Sequence, residues 1–360
     1  MSWQFAFIPG SKPEAQPIIS VIGKRTYTLA PGRVEVADEQ LPVYDMDGFE
    51  DEENQLYSEA LGETDLIPFK PSTDVVIQGK VHAPKGKKAF HLDCEVRVGP
   101  YRKTVRTFGN RTAQSKALRG IVISDPEPFT EMPLGYTRAY GGIATSKNGT
   151  LFQYYPNPIG KGFGLRGGVD DGAGMQVPNL EDPGSPVLPD HLALPKFEDW
   201  EHGPKPASLG WTRRNFFPRY TFAGVLPEYL EAAQRSQEEM QKKYPQLGNT
   251  KIPKMDYRVY QGASDGLWGQ RLKGDEHVLL TYMDPDFPKF EFDLPNDIPL
   301  LTLDVGEGPQ QLQPELQTVV IEMEEKRLSL VWRGYLEYGG IEELASVARL
   351  EANAFSRENN

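Results

Sequence analysis

The stretch "KKAFHLDCEVRVG" (Lys87–Gly99), followed across Pro100 by "YRKTVRTFG" (Tyr101–Gly109), decides the fold class. Around Cys94 apolar and polar residues alternate, and a period of two matches a strand, whose side chains point to opposite faces in turn. Gly99-Pro100 breaks the run. Two strands this close in sequence are expected to pair antiparallel. Similar signatures recur at 3–8 ("WQFAFI"), 18–29 ("IISVIGKRTYTL"), 74–81, 277–283 ("HVLLTYM") and 289–295 ("KFEFDLP"). The run "TVVIEMEEKRLSLVWRG" (318–334) reads as a hairpin turning near Glu325-Lys326. Glycine (35) and proline (31) are abundant in the 360 residues, which favours turns and short strands over a helical bundle.

Helical spacing shows in two places. In "LPEYLEAAQRSQEEMQKKY" (226–244), Leu226, Tyr229, Leu230, Ala233, Met240 and Tyr244 form one apolar face, with Pro227 suited to the first turn and Pro245 as a stop. The segment "IEELASVARLEANAF" (341–355) has Ile341, Leu344, Val347 and Ala348 on one side. The expected fold is therefore mainly β (α+β). It has an antiparallel sandwich-like core, a long Pro/Gly-rich irregular region from 124 to about 206, and two peripheral helices. Residues 3–335 read as a single domain, with a possible division into a β subdomain 3–123 and an irregular and β subdomain 124–335. Residues 336–360 read as a helical tail.

The formal charge of -12 is local in origin. Between Glu35 and Asp65 there are twelve Asp and Glu and no Lys or Arg, so the remaining residues balance. This segment is expected to be a solvated, partly mobile loop, or an acidic surface that steers a basic partner. Without a basic excess, nucleic-acid binding is not expected. The N-terminus lacks a basic start followed by a long apolar core, and no apolar run approaches 18 residues. The expectation is thus a cytoplasmic protein with no membrane insertion.

Chemistry is sparse. The single cysteine, Cys94, can form no internal disulfide and reads as a small core residue. The five histidines make no HExxH or His/Asp cluster, although His82 and His91 could face each other across paired strands. "NPIGKGFGLRGG" (157–168) lacks the hydroxyl that a Walker A loop needs after Lys161, and reads as a loop set by backbone shape. Ser208 has no flanking glycines to expose it as a nucleophile. The carboxylate pairs Asp170/Asp171 and Glu181/Asp182 permit a hydrolase acting on a sugar or phosphate ester, provided a cleft separates their pKa values. No metal or cofactor is expected.

"GWTRRNFFPRYTFAG" (210–224) interleaves Trp211, Phe216, Phe217, Tyr220 and Phe222 with Arg213, Arg214 and Arg219. One reading is aromatic core packing with the arginines reaching outward. The other is a partner-binding anchor formed by Trp211, Arg213, Arg214, Phe216, Phe217 and Arg219, because Trp, Tyr and Arg dominate binding hot spots.

Five ordered blocks carry a family resemblance. They are "GETDLIPFKPSTDVVIQGKVHAP", with Asp65, Lys70, Pro71 and Asp74; "PEPFTEMPLGYTRAYGG", with Phe129, Pro133, Tyr136, Arg138, Gly141 and Gly142; "NPIGKGF", with Asn157 and Gly160; "VPNLEDP"; and "LVWRG". Together they resemble a domain-of-unknown-function family of type VI secretion accessory proteins encoded beside VgrG spike proteins, PAAR tip proteins and toxic effectors. The resemblance implies a non-enzymatic adaptor that binds an effector and helps load it onto the VgrG–PAAR spike. It carries over no catalytic residues. On this reading Pro128, Pro133, Gly141 and Gly142 fix tight turns, Phe129, Met132, Tyr136 and Tyr140 pack beneath them, and Arg138 ties carbonyls or a carboxylate.

Overall fold

A computed structural model describes residues 3–13, 16–85, 87–116, 120–168, 172–217, 219–223, 256–304, 308–337 and, as backbone, 351–355. Two sheets carry the core. The first has the order Gln4–Ser11, Pro17–Ala30, Arg327–Glu337, Glu315–Glu322, Asp74–Gln78, with Arg33–Val36 paired to the far end of Pro17–Ala30. Its neighbours run antiparallel except the last pair, where Asp74–Gln78 lies parallel to Glu315–Glu322. The second has the order Leu180–Glu181, Tyr101–Phe108, His91–Val98, His277–Thr281, Lys289–Asp293, antiparallel throughout. Fold class and hairpin pairing agree with the sequence reading, and the 318–334 turn places Lys326 at φ 52.

The alternating side chains Cys94, Val96 and Val98 face a core shared with Val75, Ile77, Val319, Ile321, Leu328 and Leu330 of the first sheet. Burial in this core pushes the Cys94 thiol up to about 12, with a smaller push from Glu95, so it packs as a small apolar group. Pro17–Ala30 is buried almost continuously because the first sheet is covered on both faces. On the outer face Ile19 and Val21 meet Leu301, Leu303 and Leu312. The irregular region has its own core, in which Tyr140, Tyr154, Tyr155, Phe197, Trp200 and Phe217 pack ring against ring. Tyr154 meets Tyr140 edge-on at 4.9 Å between centroids, and Tyr155 meets Trp200 edge-on at 5.1 Å.

Three expectations change. The strand expected at 74–81 is two, because Gly79 (φ 147) turns the chain: Asp74–Gln78 joins the first sheet, and Lys80–His82 pairs with Glu131–Pro133. The helix expected at 341–355 is contradicted at its end, where Glu351–Phe355 is a strand antiparallel to Leu300–Asp304. An open strand edge offers a whole row of backbone partners, which outweighs the weak helical preference of a short segment. Residues 341–350 lie outside the described residues, as do 224–255, which contain the expected helix 226–244. Finally, the 123/124 boundary of the possible subdomains cuts both sheets, each of which draws strands from both sides of it.

Candidate docking site and its internal supports

The first two blocks of the resemblance form buried polar knots. Lys70 Nζ donates to Asp74 Oδ2 (2.7 Å) and Thr318 Oγ1 (3.0 Å). Asp74 also accepts from the Gln261 amide and from Gly262 N (2.7 Å), while Gln261 Oε1 accepts from Ser72 N. Thr73 Oγ1 donates to Leu316 O (2.6 Å) and accepts from Leu272 N (2.9 Å). The block therefore fastens the parallel edge strand to the 261–272 loop, with exposed Pro71 at its turn. Every polar group of Asp74 has a partner, as a fully buried carboxylate requires. Asp65 accepts from Lys24 Nζ (2.9 Å) and Tyr44 N (2.8 Å). Burial holds the Lys24 ammonium below its usual range, although Asp65 opposes that shift.

The second and third blocks meet at Asn157, whose Nδ2 donates to Tyr136 O (2.8 Å) and Tyr140 O (3.0 Å). Gly141 (φ 149) and Gly142 (φ 110) lie against this chain; a Cβ at Gly141 would collide with the Asn157 carbonyl, and one at Gly160 with the Asn157 amide. Phe129 is buried and exchanges backbone bonds with Ala89. Pro133 departs from expectation, standing in a short ladder opposite Lys80 rather than in a turn. Arg138 departs too: its guanidinium has no hydrogen-bond partner among the described residues, and its charge falls on Lys161. Burial first, then Arg138 and Arg111, pull Lys161 down to about 8, and its ammonium donates to Asn179 Oδ1 (2.6 Å).

The arginine and aromatic block turns inward. Trp211, Arg213, Phe216, Phe217 and Arg219 are buried, and only Arg214 keeps a half-exposed side chain. The arginines do not reach outward, because each meets a partner from the acidic segment. Arg219 grips both oxygens of Glu63 (Nη2 to Oε2, 2.8 Å) and donates from Nε to Val259 O (2.7 Å). Arg213 donates to Ser58 O (2.8 Å) and lies over the Phe49 ring at 4.8 Å. Arg214 Nη2 reaches Asp47 Oδ1 at 3.3 Å. Burial alone would raise the Glu63 carboxyl, but Arg219, with Arg214 and Lys70, outweighs it and the net shift is downward. The segment expected to be a partly mobile loop is thus a ribbon with a Gly48–Phe49/Ala60–Gly62 ladder, pinned at Asp47, Ser58, Glu63 and Asp65. Sequence reasoning missed these partners of the arginines, whose signal was the lack of any basic residue within 35–65 to neutralise them.

The groups expected to do chemistry stay apart. Glu181 is buried in an ion pair with Arg111 (2.5 Å), while Asp182 accepts from Gly184 N (2.8 Å) in a turn. Asp170 and Asp171 lie outside the described residues. Ser208 is buried, with its hydroxyl on Leu134 O. His82 and His91 belong to different ladders, paired with Glu131 and Phe108, and do not meet. Among the described residues no three His, Cys, Asp or Glu are grouped to hold a metal. A cavity of about 610 Å³ is lined by rings, Tyr136, Tyr154, Trp200, Phe217 and Trp268 among them, and by charged side chains that include Glu201, Arg219, Arg258 and Asp265. No helix among the described residues is long and apolar enough to cross a membrane.

No curated protein and no solved structure matches the chain. A family described as an uncharacterized protein conserved in bacteria, DUF2169, matches residues 14–333, a span that takes in the second sheet, the first sheet apart from its edge strand Gln4–Ser11 and the end of Arg327–Glu337, the polar knots and the arginine brace, and the chain belongs to that family.

Proposed function

We propose that the chain is a non-enzymatic adaptor of type VI secretion, which binds a cognate effector in the cytoplasm and helps load it onto the VgrG–PAAR spike. The reading rests on the resemblance of the five ordered blocks. One structural observation carries it furthest: key carboxylates of those blocks are directed into internal bonds, as at Asp74 and Glu63. Such a chain serves as a rigid support for a surface. The hydrolase alternative draws no support from Glu181, whose carboxylate is taken up by Arg111.

Purification of the tagged chain from its own bacterium tests the proposal. An effector encoded in a neighbouring gene is expected to co-elute, together with VgrG or a PAAR protein, and deletion of the adaptor gene is expected to lower effector export. Turnover of a glycoside or phosphate ester by the purified chain, lost in Glu181→Gln, would overturn it.

A further inference from the structure

Five of the twelve strongly exposed large apolar side chains among the described residues fall between Tyr44 and Leu61. Met46 is 71% exposed, Leu56 66%, Leu61 54%, Tyr57 50% and Tyr44 36%. Beside Leu56 lies a hollow of about 250 Å³ lined by Phe49, Ala60, Arg213 and Arg214. Exposed apolar side chains set among polar groups on a pinned ribbon suit a protein-docking surface. The rim is acidic. Asp45, Glu50, Asp51, Glu52 and Glu53 are exposed, and none has a cationic partner among the described residues.

We propose that this ribbon is the docking surface and that its partner presents a basic segment with an apolar side chain that seats in the hollow beside Leu56. The proposal rests on the adaptor reading and names the chemistry of the partner. Charge selects the occupant. The rim repels nucleic acid, anionic lipid and the same face of a second copy, whereas lysine or arginine on a partner meets carboxylates without counter-ions. Leu56 and its neighbours supply the contact that survives salt, and the carboxylates supply steering and register.

The probe is a labelled helical peptide with leucines on one face and lysines on the other, titrated into the full chain by fluorescence anisotropy. A counterpart with glutamates in place of the lysines is the control. The lysine peptide should bind and the control should not. Binding should weaken about tenfold or more in Leu56→Ser/Leu61→Ser and in Asp45→Lys/Glu50→Lys/Glu53→Lys, with unfolding midpoints unchanged. Equal binding of both peptides, or full binding by the leucine variant, would overturn the proposal, the second outcome being charge adsorption alone. Effector co-elution with the same variants separates the two readings. An effector retained by both variants leaves the adaptor intact and removes this surface, whereas no co-eluting effector from the wild type removes both.

Discussion

Glu63 and Arg219 face each other with almost no exposure to water, where an isolated charge of either sign would cost several kcal/mol. Two bonds between carboxylate and guanidinium, and the Val259 carbonyl on Arg219, make the placement tolerable. Removing one partner strands the other, so Arg219→Ala should cost about 3–5 kcal/mol in chemical denaturation. The sign with pH follows from the lowered Glu63 pKa. A group whose folded value lies below its unfolded value, about 4.3, stabilises fully above that value and stops doing so as pH falls through the folded one. The stability difference between wild type and Glu63→Gln should therefore be largest near neutrality and shrink at acid pH. A difference independent of pH would show that Glu63 is not ionised in the folded chain. Lys70 and Asp74 were legible as members of one short block, though not as an ion pair, because 70–74 is a bend running into a strand rather than a helix. The Glu63–Arg219 pair was not legible, because its members are 156 residues apart and arginine is ordinarily an exposed residue.

The acidic ribbon is an element with little of its own to hold it. Its ladder joins Gly48–Phe49 to Ala60–Gly62, whereas Pro17–Ala30 and Arg327–Glu337 pair over eleven residues inside the sheet. Local opening follows the number of buried contacts and shared bonds. Amides of 48–62 should therefore exchange with deuterium far faster than those of the central pair. Arg213→Ala/Arg214→Ala removes the bond to Ser58, the cover on Phe49 and the pair with Asp47. It should speed exchange in 44–62 and leave the Pro17–Ala30 amides unchanged, as read by mass spectrometry. Uniform acceleration across the chain would mean that the arginines hold the core rather than the ribbon. Elements with their own period or turn, such as the hairpin around Lys326, were legible from sequence. The break at Gly79 and the strand at Glu351–Phe355 were not, because a distant partner strand decides each of them.

At the scale of the molecule, the layered β class was legible and the strand order was not, since alternation shows which face of a strand is buried but not which strand lies beside it. The order has a consequence that the composition hides. Pro17–Ala30 and Asp74–Gln78 come from the first third of the chain, and the hairpin that joins them, Glu315–Glu322 with Arg327–Glu337, comes from the last. The second sheet repeats the arrangement, with His91–Val98 beside His277–Thr281. A cut after residue 123 thus leaves the N-terminal piece with His91–Val98 paired to Tyr101–Phe108 on one side only, with Asp74–Gln78 stripped of its sheet partner, and with Val75, Ile77 and Val96 in water. Expressed alone, 1–123 and 124–360 should each aggregate or fail to give a cooperative transition, while co-expression should recover soluble complex to the extent that the sheets close between the pieces. The intact chain should accordingly lose both sheets in one calorimetric transition, because neither can open without exposing the core they share. Two well-separated transitions, or a 1–123 fragment that melts cooperatively on its own, would mean that the sheets fold independently and that the shared core is a contact between finished units.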